Sequence, residues 1–369
     1  MGKKILIVAG EASSDLHAAS LVREIRALMP SWEFFGLGGA KMEKQGVRLY
    51  ANIVDLAVVG FFEVLKNFKK FKALFNQLLG EVNRLNPDLA ILIDYPGFNL
   101  RLAIELKKRN IPIVYYISPQ VWAWGRNRIK LIKKVVSKMI VIFKFEEELY
   151  RQAAIPVHFV GHPFLDIVRP DSGLNLPSAK TTIALLPGSR EAEVNRLLPL
   201  MLESAAIIRK KIPESQFIVL RSSSVKEGLY DSIISDYKLP VYVFSDKTYA
   251  GLVSSDFAMI ASGSATLESA ILEKPFLVIY KVSWLSWACL RPIIKIPYIG
   301  LVNIVAGRKI IKEFIQFRAT ADRIANYIVK TLADPLKMSS LKNELSELKQ
   351  LLGEKGASKR AAEIIADLL

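Results

Sequence analysis

Lys3-Lys-Ile-Leu-Ile-Val-Ala9, running into Gly10-Glu-Ala-Ser-Ser-Asp-Leu-His17, decides the fold. The first part is a short unbroken aliphatic run, too short for a helix and rich in β-branched residues. It stops at a glycine. An amphipathic helical pattern follows from about Ser14 to Met29. A strand, a turn of small residues and a helix together open a doubly wound α/β domain.

Reading outward, the same unit recurs. Asp88–Ile93 (DLAILI) is a buried strand, Leu100–Lys108 a helix, and Ile113–Ile117 and Met139–Phe143 further strands, with a helix over Glu146–Gln152. Strands that are apolar without alternation imply a parallel sheet covered on both faces. The pattern breaks at Arg169–Lys180 (RPDSGLNLPSAK), a linker composition. It restarts with strands at Thr182–Leu186, Phe217–Leu220, Val241–Phe244, Phe257–Ala261 and Phe276–Tyr280, and with helices over Val194–Lys210 and Ala265–Leu272. The expected fold is therefore α/β, with two doubly wound, Rossmann-like domains, residues 1–168 and 180–344, facing a cleft. Ligands of such sheets bind beyond the carboxyl ends of the strands.

Composition narrows the setting. The chain carries a net charge of +16 and 51% hydrophobic residues, so it is drawn to anionic surfaces, whether nucleic acid, acidic lipid or phosphorylated ligands. The most apolar stretch, Pro275–Ile294, is interrupted by Lys281 and Arg291, whereas a membrane span needs about 20 apolar residues. The N-terminal apolar run is too short for a signal peptide and is followed at once by Glu11 and Asp15. A single cysteine, Cys289, leaves no internal disulfide framework. A cytoplasmic protein is expected.

Several junctions carry chemistry. In Gly10–His17, Glu11, Ser13 and Ser14 stand where a ligand would meet a helix N-terminus, and His17 lies in the first turn; Ser14 or Asp15 equally suits a simple N-cap. Gly36-Leu-Gly-Gly-Ala-Lys41 imitates a dinucleotide fingerprint but has lysine at its third glycine position and follows the wrong strand, so NAD and FAD are not expected. Asp94 ends a buried strand and opens Asp94-Tyr-Pro-Gly-Phe-Asn99. Partial desolvation would make it a better base, and a turn aspartate before Pro96 is the plainer reading. Ser118-Pro-Gln-Val-Trp122-Ala-Trp124-Gly-Arg126-Asn-Arg128 joins two tryptophans to two arginines, and Gly125–Lys144 contains no acidic residue. That surface suits phosphate or anionic lipid, or is a solvated helix face. Phe61–Phe75 (FFEVLKNFKKFKALF) sets Phe61, Phe68, Phe71 and Phe75 on one helical face and Lys66, Lys69 and Lys70 opposite. Both an interfacial membrane helix and a core-facing helix fit it.

In the second half, Leu186-Pro-Gly-Ser189-Arg190 and Ala261-Ser262-Gly263-Ser264-Ala-Thr266-Leu-Glu268 both join a strand to a helix through small residues. Each offers backbone N–H groups to an anion, Arg190 adds a planar fork for phosphate, and Glu268 stands one turn on, suited to ribose hydroxyls. Two such loops in one domain argue for a nucleotide diphosphate. Pro297–Arg308 adds Asn303 and Gly307. His17, His158 and His162 have no metal-ligand spacing and no acidic diphosphate–metal motif is present, so no metal and no cofactor are expected.

In order along the chain, GEASSDLHAA, GLGGAKM, DYPGFN, SPQVWAW, FVGHP, LLPGSREAEV, ASGSATLE and PYIGLVNIVAGR resemble the lipid-A-disaccharide synthase family of GT-B glycosyltransferases, from residue 10 to about 308. The resemblance implies transfer from UDP-2,3-diacylglucosamine to 2,3-diacylglucosamine 1-phosphate, giving the β-1,6 disaccharide and UDP. It implies Asp94 as leading general base with His17 second. Ser189, Arg190, Ser262, Gly263, Ser264, Thr266, Glu268, Asn303 and Gly307 would hold the UDP-sugar. Glu11, Ser13, Phe61, Phe68, Lys69, Trp122, Trp124, Arg126 and Arg128 would face the acceptor and the membrane. Its implied partners are the acylated UDP-sugar, the lipid monosaccharide phosphate and the anionic inner-membrane surface, with a homodimer open. The tail beyond about residue 345 would return to the first domain. The family pattern has glycine where Ser14 stands, which leaves the shape of that loop open. The rivals are a sister UDP-sugar enzyme (the N-acetylglucosaminyltransferase of peptidoglycan synthesis or a UDP-sugar 2-epimerase) and a nucleic-acid-binding module. The paired phosphate loops argue against the module.

Overall fold

A computed structural model describes residues 2–52, 68–122, 125, 127–284, 287–288 and 297–369. The chain divides into two compact units, Met1–Pro163 with Leu352–Leu369, and Phe164–Leu351.

In the first unit, strands β1 (Lys4–Ala9), β2 (Glu33–Gly38), β3 (Arg48–Asn52), β4 (Leu89–Ile93), β5 (Ile113–Tyr116), β6 (Lys138–Val141) and β7 (Val157–Phe159) form one sheet in the order β3-β2-β1-β4-β5-β6-β7. Neighbours pair in parallel throughout. Helices α1 (Ala12–Leu28), α2 (Ala40–Lys44), α3 (Phe68–Leu85), α4 (Pro96–Lys108), α5 (Arg128–Val135) and α6 (Lys144–Gln152) alternate with them. The second unit holds β8 (Thr181–Leu186), β9 (Ser215–Arg221), β10 (Val241–Ser245), β11 (Phe257–Ala261), β12 (Phe276–Tyr280) and β13 (Glu313–Ile315), parallel and ordered β10-β9-β8-β11-β12-β13. Its helices are α7 (Phe164–Ile167), α8 (Glu191–Lys211), α9 (Glu227–Ile234), α10 (Thr248–Val253), α11 (Ala265–Ile271), α12 (Leu301–Ala306), α13 (Ala321–Leu332) and α14 (Pro335–Leu351); α15 (Ala357–Ala366) returns to the first unit.

The central strands are apolar because both faces are covered. Every residue of β4 and β11 is buried. Ala18, Leu21, Val22 and Ile25 of α1 are buried too, and α1 packs against α15 through the buried Ala361, Ala362 and Ile365. The return of the chain is tied at the FVGHP motif. His162 N–H donates to Leu352 O at 2.8 Å, and Arg360 donates to Val160 O at 2.6 and 3.0 Å. Gly161, at φ +83°, leaves room for this passage, since a Cβ there would sit 2.9 Å from Glu354 O.

Three sequence features take a structural explanation. Residues 169–180 lie along the second unit, where Leu174 N–H donates to Ser254 Oγ at 2.6 Å and Gln216 Nε2 to Pro177 O at 3.0 Å. Two glycines of GLGGAKM serve packing: a Cβ on Gly36 would strike Ile7 O, and one on Gly38 the Met42 sulfur. Phe75 turns inward and meets the Phe98 ring edge-on at 5.4 Å. Phe61 and the start of the Phe61–Phe75 segment lie outside the described residues, as do the side chains of Phe68 and Lys69. No helix among the described residues is long and apolar enough to cross a membrane.

Candidate functional site

In each sheet the strand order reverses once, between β1 and β4 and between β8 and β11. At such a switch point the connecting loops diverge to opposite faces and open a crevice beyond the strand ends. Four of the motifs singled out from sequence, those at Gly10, Asp94, Pro187 and Ser262, fall on these points, whereas the Ser118–Arg128 and Pro297–Arg308 segments follow β5 and β12.

In the first unit, Ala9 pairs with Ile93, so Gly10 and Asp94 leave the sheet side by side. Gly10 is required by close approach, because a Cβ would sit 2.3 Å from the Tyr95 ring. Asp94 and Tyr95 both adopt φ +46°. Left-handed backbone at non-glycine residues costs about 1–3 kcal/mol each and persists only where surroundings hold it. Here Tyr115 Oη donates to Asp94 O at 2.5 Å, and the buried Asn99 amide donates to Ile93 O and Asp94 O at 3.1 and 2.9 Å. These bonds hold the backbone at Asp94. Burial pushes its carboxyl up to about 7, helped by the negative charge of Glu11, against a backbone N–H at Tyr95 that pulls it down. An acid poised near neutrality is suited to proton transfer.

His17 is buried near the same end of the sheet. Burial, and then the charge of Lys41, push it down to about 4. His162 is buried and lowered to about 3 by burial and then by His17, and its ring packs 5.1 Å from Phe143. Both histidines are neutral at neutral pH. Asp15 does not cap its own helix. Its carboxylate accepts from the N–H groups of Gly39, Lys41 and Met42 at 2.9, 3.1 and 3.1 Å, capping α2. Ser14 is buried, whereas Glu11 and Ser13 are exposed. Trp122 Nε1 donates to Glu146 Oε1 at 3.1 Å, and Arg128 opens α5, where its charge reaches Tyr115. Trp124 and Arg126 lie outside the described residues. Glu146 was not singled out from sequence.

In the second unit, Leu186 pairs with Ile260, so the Pro187–Arg190 turn and the Ser262–Ser264 turn leave β8 and β11 together. Gly188 has φ +113°. Ser189 N–H donates to Glu193 Oε2 at 3.1 Å and Arg190 donates to Glu193 Oε1 at 3.4 Å. The carboxylate of Glu193 thus occupies the donors that an anion would use. Gly263 faces open space, Thr266 Oγ1 donates to Gly263 O at 2.7 Å, and Ser264 Oγ donates to Glu268 Oε1 at 3.2 Å. Burial raises the Glu268 carboxyl, while Ser264 and Tyr249 pull it down. Ser262 Oγ donates to Ile299 O at 3.3 Å, which joins this turn to the start of α12. Asn303 behaves differently from the reading as a ligand contact. It is fully buried, its amide donates to Ile311 O and Glu313 Oε1, and its oxygen accepts from Ile310 and Ile311 N–H. Nothing of it remains for a ligand. Glu313 also accepts from Ile299 and Gly300 N–H and so fixes the turn. Gly307 ends α12 at φ +65°, and Arg308 is gripped by Glu344 and Glu347. No group of His, Cys, Asp and Glu among the described residues could hold a metal ion.

The first unit thus carries a buried acid near neutrality at its switch point, and the second an open turn of small residues at its own. A family model described as lipid-A-disaccharide synthetase matches residues 5–367. The chain belongs to the lipid-A-disaccharide synthase family. It is similar to the lipid-A-disaccharide synthase of Syntrophus aciditrophicus, 44% identical over 100% of this chain and 98% of that one. It is also similar to that of Geobacter sulfurreducens, 41% identical over 99% and 97%. As a member of the lipid-A-disaccharide synthase family the chain is a glycosyltransferase of lipid A biosynthesis, as the quoted motifs led us to expect. Among solved structures, a UDP-GlcNAc 2-epimerase from Neisseria meningitidis bound to UDP-GlcNAc aligns with TM-score 0.66 at 13% identity over 99% of this chain and 100% of that one. A glycotransferase of kitacinnamycin aligns with TM-score 0.65 at 15% identity, over 100% and 99%. These likenesses carry the GT-B fold, two Rossmann-like units, and no more.

Proposed function

We propose that this synthase-family enzyme transfers 2,3-diacylglucosamine from UDP to the 6-hydroxyl of 2,3-diacylglucosamine 1-phosphate, with inversion, using Asp94 as general base. The carrying observation is the Asp94 carboxyl, held at the β1/β4 switch point on strained backbone and raised to about 7. In the proposed step the Asp94 carboxylate takes the hydroxyl proton as the acceptor oxygen attacks the anomeric carbon from the face opposite UDP. The bond from that carbon to the diphosphate oxygen breaks, and UDP leaves with the electron pair. His17, lowered to about 4, is a poor base at neutral pH and serves the step less well.

The UDP-sugar is assigned to the second unit. A diphosphate would displace the Glu193 carboxylate from Ser189 N–H and Arg190, because two phosphates offer more charge to the same donors. Ser262, Gly263, Ser264, Thr266 and Glu268 line the neighbouring turn for the nucleoside. No divalent metal is needed in this scheme, since Arg190 and the backbone N–H groups of the turn meet the leaving charge. The anionic inner-membrane surface is the proposed place of work, at its cytoplasmic side. Support comes from the net charge of +16 and from exposed Trp284 and Phe317 in the second unit. Incubation with both lipid substrates, with EDTA present, tests the reading. A disaccharide product by mass establishes the reaction. Release of UDP without disaccharide, or no release from well-dispersed lipid, overturns the assigned acceptor and moves the weight to a sister UDP-sugar enzyme.

A further inference from the structure

Glu146 stands in the first turn of α6 and is 2% exposed, in contrast to its solvent-facing neighbour Glu148. One oxygen accepts the Trp122 indole N–H at 3.1 Å, while Oε2 is buried without a hydrogen-bond partner among the described residues. An ionised carboxylate with one oxygen so placed loses hydration it does not recover, whereas a neutral carboxylic acid loses far less. The indole that Glu146 holds is the start of an aromatic chain. Trp122 meets Phe145 edge-on at 5.5 Å, Phe145 stacks on Phe143 at 5.5 Å, and Phe143 packs on His162 at 5.1 Å. The other end of the same loop is held by Ser118, whose hydroxyl lies 2.7 Å from Tyr150 Oη and donates to Pro119 O.

We propose that Glu146 is a positioning residue of the transfer reaction, held as an uncharged carboxylic acid that fixes Trp122 and the Ser118–Trp122 loop at the end of β5 without placing a second negative charge near Asp94. The electrostatics agree. Burial pushes Glu146 up to about 8; Trp122, the Phe143 backbone and Ser118 pull it down, and the charge of Asp94 pushes it up. The ionisable groups acting on it are Asp94, just beyond β4, and Tyr150 of α6; burial holds Tyr150 above the usual range and so neutral. Below about pH 8 the pair Asp94–Glu146 therefore carries at most one charge. Above it a second charge arises, which strengthens the pull on the indole N–H and repels an anionic acceptor. The kinetic consequences rest on the proposed function; the optical ones do not.

The test is the Trp122 emission, taken as the difference between the wild-type chain and Trp122→Phe and titrated from neutral into alkaline pH. A transition centred near 8, absent in Glu146→Gln, is expected. No transition in the wild type, or the same transition in Glu146→Gln, overturns the proposal. In kinetics, Glu146→Gln should keep neutral-pH kcat and acceptor KM within about twofold and lose the alkaline decline. Glu146→Leu, which leaves the indole N–H without its acceptor, should raise acceptor KM by roughly tenfold with kcat little changed, the scale of one hydrogen bond. A collapse of kcat in Glu146→Gln at unchanged KM would make Glu146 a proton donor or acceptor and end the positioning assignment. If the wild type transfers nothing, the functional reading fails, and the emission titration still decides Glu146. Circular dichroism checks each fold, and the isosteric Gln variant carries the test where Leu does not fold.

Discussion

The two switch points share a topology and differ in almost everything else. At β1/β4 the backbone is strained, at Asp94 and Tyr95, and the ionisable groups are displaced from their ordinary values by burial. At β8/β11 the left-handed position is a glycine, Gly188, Gly263 faces open space, and the one arginine is exposed and paired to a carboxylate. Burial next to a strand end tunes a proton-transfer group, while open amides and small side chains leave room to hold a polyanion. In the proposed function the same fold, used twice, separates reacting from holding by how much of each junction is shielded from water.

That division is broken most directly at Asp94. Asp94→Asn keeps the shape and removes the proposed base, so turnover should fall by roughly a thousandfold, within the range for a lost general base, while UDP affinity by calorimetry stays near wild type. A mutant with near-normal rate ends the assignment of chemistry to the first unit. Arg190→Ala should do the reverse, raising the KM for the UDP-sugar by about tenfold or more, as expected for a lost charge-assisted contact to phosphate, with a smaller fall in kcat. An unchanged KM would put the diphosphate elsewhere.

The legible parts of this architecture are those set by local pattern. β1, β4 and β11 show as unbroken apolar runs because both faces of a parallel sheet are covered, and the junction glycines show where chain direction changes. Long-range partners were not legible. Asp15 looks like an N-cap for the helix it sits in, yet caps α2, which begins 25 residues later. Asn303 reads as a ligand-facing amide, yet spends all its bonds on residues 310–313. Glu146 heads a run of three glutamates that reads as a wet helix start, and only the packing of Trp122 above it distinguishes it from Glu147 and Glu148. In each case the deciding contact comes from outside the residue's own element, from seven to ten residues on for Asn303 to more than 20 for Asp15 and Glu146, where no periodicity marks it.

Glycine replacements sharpen the comparison at smaller scale. Gly10→Ala places a methyl 2.3 Å from the Tyr95 ring and must push the Asp94–Tyr95 turn away. A loss of about 1–3 kcal/mol, as for overpacking, and a fall in kcat should appear together. Gly263→Ala meets nothing within 4 Å, so thermal unfolding should be unchanged within about 0.5 kcal/mol. If both variants lose stability equally, the second junction is as tightly packed as the first.

The smallest effect concerns Glu11, exposed yet close enough to raise the Asp94 carboxyl. Its charge disfavours the Asp94 anion, so Glu11→Gln should lower the Asp94 value from about 7 by a fraction of a unit. In the proposed step the active form is the carboxylate, so the rate should rise as pH passes upward through that value, and the acidic limb of kcat/KM in Glu11→Gln should move to lower pH. Salt separates this from a steric effect. Added ionic strength screens the exposed Glu11 charge in the wild type and should shift its limb toward the mutant position, while the mutant limb barely moves. Burial, the larger cause, is untouched by either change, so most of the elevation should survive both. A limb that returns to the ordinary carboxylate range in Glu11→Gln would mean that charge repulsion, rather than shielding from water, sets the reacting junction apart from the holding one.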